Sequence, residues 1–126
     1  MPNPKKESFA VNRIKSVGFA FKGLMALIKT ENAIKVQLVI AIAVTLAGFY
    51  YNISSTEWMI QLIMIALVMS LEGINTAIED VVDFIHPEHH VKIGRIKDIA
   101  AGAVLIASII AVIIALIIYL PKIISL

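Results

Sequence analysis

The chain contains no cysteine, which removes disulfides, thiolate zinc sites and cysteine nucleophiles from consideration. Charge is scarce as well: Asp, Glu, Lys and Arg make up 16% of the 126 residues, where soluble domains average about a quarter. There is no glycine-rich phosphate loop. Gly94 stands alone, and neither a Walker sequence nor a GxGxxG occurs anywhere. Internal repeats and low-complexity tracts are missing too. The opening MPNPKKESFAVNRIK has no uninterrupted apolar run ahead of its basic residues, so it does not read as a cleaved signal. A net charge of +2 is too small for a nucleic-acid footprint, and no nucleic-acid partner is expected.

What the chain has in excess is apolar surface: 60% of residues are hydrophobic and the mean hydropathy is +0.91. This is one membrane domain over residues 1–126. Residues 1–7 include Pro2 and Pro4 and read as a frayed tail. Ser8 suits the N-cap of a helix over about residues 8–30. There Phe9, Ile14, Val17, Phe21, Leu24 and Ile28 recur at helical steps, with Arg13, Lys15, Lys22 and Lys29 between them. Such a basic amphipathic helix fits the membrane interface, or the cytoplasmic end of the bundle itself.

Three membrane crossings follow. Span one covers 36–53, and no charge occurs from Val36 through Thr56. Phe49, Tyr50 and Tyr51 form an aromatic belt at its far end. Ser55 or Thr56 caps span two, anchored by Trp58, which covers 58–85 and stops at His86-Pro87 because proline disfavours helical geometry in the residue before it. A linker over 86–98 leads to span three, 99–120, closed by Pro121. The expected fold class is therefore an all-α membrane protein: three transmembrane helices plus an N-terminal amphipathic surface helix. Ten of the eleven lysines and arginines precede span one or lie in the linker. The positive-inside rule thus puts the N-terminus and residues 86–98 in the cytoplasm and the C-terminus outside.

The polar groups concentrate in one place. Between Glu72 and Ala103 sit six acids, three histidines and three basic residues. Glu72, Asn75, Glu79 and Asp83 follow at i, i+3, i+7 and i+11, so a helix stacks all four on one face. Glu72 lies fourteen residues beyond Trp58, roughly 21 Å along a helix, still near or within a hydrocarbon core about 30 Å thick. Ionisable groups at that depth are costly unless they serve a site. Carboxylates with an amide and no thiol suit a hard cation such as Mg²⁺. Glu72, the deepest, sits in the driest place and is the candidate general base. Lys97-Asp98 offers a cation for phosphate beside an acceptor for a ribose hydroxyl. The plain structural alternative is that the acids only pair with Lys92, Arg95 or Lys97. His86, His89 and His90 read as solvated loop residues rather than a metal site, and Gly18, Gly23 and Gly102 as packing positions between helices.

The blocks Glu72-Gly73-Ile74-Asn75-Thr76-Ala77-Ile78-Glu79-x-x-x-Asp83 and Lys97-Asp98-x-Ala100-Ala101-Gly102-Ala103-Val104, with GFAFKGL at Gly18–Leu24 and with Glu31, resemble the prokaryotic diacylglycerol kinase family, which includes undecaprenol kinases. The resemblance covers nearly the whole chain. It implies a homotrimeric helical bundle in the bacterial cytoplasmic membrane that transfers the γ-phosphoryl group of MgATP to a lipid hydroxyl. It implies Glu72 as the base that meets the lipid substrate, and Glu31 and Glu79 as ligands of the Mg²⁺ on the nucleotide. Asn75 and Asp83 would support that shell. Lys97 would contact phosphate, Asp98 would help seat the nucleotide, and Glu88 and His90 would lie at its ribose and base. Phe19 would stack near it. Glu31 would act in cis or in trans.

Two departures stand out. The arginine expected early in the surface helix corresponds to Asn12, with Arg13 next to it, and a histidine expected after Glu31 is Gln37. The linker, with Gly94-Arg95-x-Lys97-Asp98, looks more like the diacylglycerol kinases, which makes diacylglycerol the expected acceptor and phosphatidic acid the product; undecaprenol is the alternative. An ion or proton conductor lined by the acidic stripe, and a small structural subunit without chemistry, are the readings outside enzymology. The apolar run Trp58–Leu71, broken only by Gln61 and Ser70, disfavours a conducting path.

Overall fold

The computed structural model describes residues 7–125, and the tail expected over residues 1–7 lies outside them except for Glu7. Four helices account for nearly all of that length: α1 (Phe9–Thr30), α2 (Asn32–Tyr50), α3 (Ser55–Ile85) and α4 (Val91–Ile124). The last three are long and apolar enough to cross a membrane. At about 1.5 Å per residue, α3 with 31 residues and α4 with 34 reach roughly 46 and 51 Å. Both exceed a hydrocarbon core of about 30 Å, so their ends extend into the interfacial layers, and their charged residues other than Glu72 sit toward those ends.

Contacts at both ends fix the topology. Asp83 of α3 meets Lys97 of α4 at one end, and Glu57 meets Lys122 at the other, so α3 and α4 run antiparallel. Gln37 with Glu72 and Gly48 with Trp58 do the same for α2 and α3. The bundle thus has a basic, carboxylate-rich end and an aromatic end. α3 and α4 form the most extensive pair, α2 leans on α3, and α1 touches α2.

Local sequence explains each boundary. Ser8 caps α1, its side chain accepting from the Val11 amide. Glu31 interrupts the helical run by a single extended residue, φ −97° and ψ 112°, and α2 starts at once at Asn32, four residues earlier than the expected span. Tyr50 ends α2 three residues early because Asn52 takes a left-handed conformation, φ 52°. The Ile53 amide then bonds the Gly48 carbonyl and the Asn52 amide the Phe49 carbonyl, a Schellman closure that asparagine tolerates well. Ser54, rather than Ser55 or Thr56, caps α3: its hydroxyl accepts from the Glu57 amide while the Glu57 carboxylate accepts from the Ser54 amide, a reciprocal capping box.

α3 ends at Ile85 before Pro87, in line with the proline rule. The linker is shorter than expected. His90 caps α4 with Nδ1 accepting from the Lys92 amide at 3.0 Å, and residues 91–98 join the helix. α4 also runs through Pro121 to Ile124. Pro121 gives up its own amide bond in the last turns of the helix, and Lys122 holds the final turn by donating to Glu57 and to the Ile118 carbonyl.

One buried cluster lies at the aromatic end, where Ile53, Ile118 and Tyr119 pack with Ala47, Tyr51 and Trp58; Ile34, Val82 and Val104 are buried toward the other end. Gly48 is required at the aromatic end: a Cβ would lie 2.7 Å from Trp58 Cη2. Gly18, Gly23 and Gly102 have nothing within 4 Å of a built Cβ, so they are not packing positions within the chain. Across all three spans, isoleucines, valines and leucines face outward; an apolar surface this large needs lipid or other subunits to cover it.

Candidate active site

The carboxylate face forms as a connected network. Glu72 and Asn75 are buried, at 9% and 8% exposure. Asn75 Nδ2 donates to Glu72 Oε2 at 3.3 Å and to Glu79 Oε1 at 3.2 Å, so one amide bridges two carboxylates that stand two turns apart on α3. From α2, Gln37 Nε2 donates to the other Glu72 oxygen, Oε1, at 3.1 Å. The Thr76 hydroxyl donates to the Glu72 carbonyl at 3.1 Å, binding its own helix. Glu72 therefore has one neutral amide on each carboxylate oxygen. Such donors hold a buried carboxylate in position without neutralising it.

One turn further out, Asp83 Oδ1 accepts from Lys97 Nζ at 2.6 Å, joining α3 to the first turns of α4. Here the structural alternative for the acids is realised for a single pair, while Glu72 and Glu79 are held by amides. Asp98 is exposed on the same stretch of α4. His90 and Glu88 lie in the turn beside it, where His86 Nδ1 is 2.9 Å from the Glu88 carbonyl and the His86 and His90 rings meet edge to face at 5.8 Å.

α1 contributes less to this network. Arg13 stays on its own helix, donating to Ser16 Oγ at 3.2 Å with its guanidinium 5.9 Å from the Phe9 ring centre. Phe19 is 43% exposed. Glu31 sits at the α1–α2 break, and no side-chain capping bond engages its carboxylate. Among the described residues no three His, Cys, Asp or Glu side chains form a metal-holding group, so Glu31, Glu72 and Glu79 are not one cluster in a single chain, nor are His86, His89 and His90.

Two buried oxygens lack a hydrogen-bond partner among the described residues: Asn75 Oδ1 and Gln37 Oε1. Asn75 Oδ1 belongs to the amide that touches Glu72 and Glu79. An orphaned carbonyl oxygen next to carboxylates is a hard-donor set that fits Mg²⁺, which needs only one or two carboxylates when waters and phosphate oxygens complete its shell. Sequence reasoning passed over Gln37, treating it only as a missing histidine. The available signal was a lone amide near the start of an otherwise apolar helix.

Two apolar grooves border the network. One, about 220 Å³, runs between α2, α3 and α4 from Gln37 to Gln61 and Ile118. The other, about 340 Å³, lies beneath α1 and is lined by Leu24, Leu27, Ile34, Ser70, Gly73 and Ala77. A buried carboxylate beside apolar troughs suits an amphiphile with a polar head.

Comparison with known proteins agrees. Residues 18–119 match the prokaryotic diacylglycerol kinase family. An undecaprenol kinase of Bacillus subtilis (strain 168) is 42% identical over 108 residues, covering 86% of this chain and 88% of that protein. The diacylglycerol kinase of Escherichia coli (strain K12) is 37% identical over 100 residues, 79% of this chain and 82% of that one. A diacylglycerol kinase of Synechocystis is 33% identical over 118 residues, 93% and 67% of the two chains.

Proposed function

The chain belongs to the prokaryotic diacylglycerol kinase family, and from that premise we propose that this membrane lipid kinase transfers the γ-phosphoryl group of MgATP to the hydroxyl of a polyprenol. The observation that carries the reading is Glu72, a buried carboxylate held by two neutral amides at the membrane-facing end of an acidic stripe. The polyprenol assignment rests on the 42% identity to an undecaprenol kinase. Diacylglycerol is the second reading, favoured by the Gly94–Asp98 pattern and by the relatives named diacylglycerol kinase.

Phosphoryl transfer asks a protein for positioning and charge stabilisation more than for covalent chemistry. Glu72 takes the proton of the lipid hydroxyl as its oxygen attacks the γ-phosphorus, and ADP departs. Glu79 and Asn75 Oδ1, with Glu31 from a neighbouring subunit of a homotrimer, would hold Mg²⁺. When bound, Mg²⁺ neutralises charge on the β- and γ-phosphates. Lys97 leaves Asp83 for phosphate, Asp98 seats the nucleotide, and Glu88 and His90 meet its ribose and base. Arg13 and Phe19, exposed on α1, reach the nucleotide of an adjacent subunit. Ten of the eleven basic residues fall within 1–35 or 92–97 of the sequence, the segments that the positive-inside rule assigns to the cytoplasm of a bacterium, where ATP is.

Acceptor competition in mixed micelles tests this. With labelled ATP and equal mole fractions of undecaprenol and diacylglycerol, label in undecaprenyl phosphate is the expected result. Label mainly in phosphatidic acid would replace the first acceptor by the second. No label in either lipid would reject the kinase reading for this chain.

A further inference from the structure

We propose that His86 is a positioning residue for the nucleotide, whose ring holds the turn between α3 and α4 in the shape that presents Glu88 and His90; the inference rests on the kinase reading above. His86 Nδ1 lies 2.9 Å from the Glu88 carbonyl oxygen, two residues further on. A carbonyl oxygen only accepts, so Nδ1 carries the proton, and its bond closes the turn around Pro87. The same ring meets the His90 ring edge to face, with centres 5.8 Å apart. One side chain thus touches both residues that the proposed function sets at the ribose and base.

The end of α3 does not need that ring. The His86 backbone amide already bonds the Val82 carbonyl, and Pro87 stops the helix by itself. What the ring adds is order in a turn that faces solvent. The Glu88 carboxylate is 78% exposed and 3.7 Å from His86 Nδ1, too far for a hydrogen bond, so it stays available to a ribose hydroxyl. His90 is set from its other side, where Nδ1 accepts from the Lys92 amide at 3.0 Å. That bond leaves the proton of the neutral ring on Nε2, a donor suited to a ring nitrogen of a purine. With acceptor and donor arranged before the nucleotide arrives, less ordering remains to be done on binding.

A merely structural His86 would change stability alone, whereas a positioning residue changes the nucleotide side of the kinetics. His86→Ala removes both the bond to Glu88 and the contact with His90. The expected result is a rise of about 5- to 20-fold in KM for ATP, with kcat and KM for the lipid unchanged within about twofold, as for a lost positioning contact. His86→Asn puts an amide donor where Nδ1 stood and should bring KM for ATP back to within about threefold of wild type. His86→Phe keeps a ring edge without the donor and should behave like His86→Ala. MgATP affinity, measured by calorimetry in detergent, should follow the same order, and thermal unfolding of all four proteins identifies variants that fail to fold. If folded His86→Ala matches the wild type, if His86→Asn restores nothing, or if the loss falls on KM for the lipid, the inference is overturned while the kinase reading stands. A wild-type protein that phosphorylates neither lipid in the acceptor competition overturns both.

Discussion

Lys97 and Asp83 are joined by a 2.6 Å ion pair across the turn between α3 and α4, both side chains partly open to solvent. Exposed pairs of this kind contribute about 0–1 kcal/mol, so the contact does little to hold the helices together. It parks an ammonium group next to the carboxylate stripe. Lys97→Met should leave the unfolding temperature within a few degrees of wild type while lowering kcat/KM for ATP at least about 100-fold, the scale of a lost phosphate contact. Asp83→Asn should cost less, because Lys97 stays in place. Equal and small effects from both would show that the pair is only a surface tether.

Glu72 and Glu79 share the Asn75 amide but differ in surroundings: Glu72 is buried and Glu79 is half-exposed. The two should fail differently. Glu72→Gln removes a proton acceptor, and kcat should fall about 10²- to 10⁴-fold with ATP binding retained. Glu79→Gln should instead raise the Mg²⁺ concentration needed for half-maximal rate. Steady-state kinetics across a Mg²⁺ series, with nucleotide binding measured separately, distinguishes them. Identical Mg²⁺ dependence in the two variants would contradict the division of roles.

Gly48 and Gly102 make a paired test of what surrounds a single subunit. A Cβ at Gly48 meets the Trp58 ring at 2.7 Å. Gly48→Ala should therefore destabilise by about 1–3 kcal/mol, the usual cost of overpacking, visible as a lower unfolding temperature in detergent. At Gly102 a Cβ meets nothing within 4 Å in one chain, and Gly102→Ala alone should be neutral or favour the helix. Gly102→Leu then reports on assembly. Loss of the proposed trimer, read by cross-linking or native mass measurement, would place Gly102 at a subunit contact, whereas an unchanged assembly would place it against lipid.

The span count, the α3 stop before Pro87 and the carboxylate stripe were legible because each follows from local rules: hydropathy over a window, proline geometry and the 3.6-residue period. The ends of α2 and α4 were not. α2 starts at Asn32 because one extended residue, Glu31, suffices to redirect the chain, and a composition window cannot register a break that short. α4 begins at Val91 because His90 lends a ring nitrogen as cap, and it passes Pro121 because Lys122 is anchored on Glu57 of another helix. Gln37 illustrates the same limit in the site. Its meaning comes from Glu72, 35 residues away, and a lone amide in an apolar helix carries no spacing signal of its own.

At the opposite end of the bundle from Glu72, the Tyr119 hydroxyl lies 2.6 Å from Gln61 Oε1 and 2.9 Å from the Val44 carbonyl, and Gln61 Nε2 also donates to Val44 at 3.2 Å. One hydroxyl and one amide thus tie α4, α3 and α2 together within an apolar span. Tyr119→Phe would leave Gln61 Oε1 buried, at a residue only 6% exposed, without its donor. Interhelical hydrogen bonds in membranes average about 0.6 kcal/mol and reach about 1.7, so the loss should fall in that range. Gln61→Leu with Tyr119→Phe should recover part of it, since both partners of the polar contact are then gone. Activity should be untouched in the folded fraction: Gln61 stands eleven residues before Glu72 on α3, roughly 16 Å away along the axis. A double-mutant cycle on unfolding, run beside kinase assays, checks both halves. A kcat loss without a stability loss would mean that the aromatic end is coupled to the chemistry, and the picture of one reactive end and one structural end would have to be abandoned.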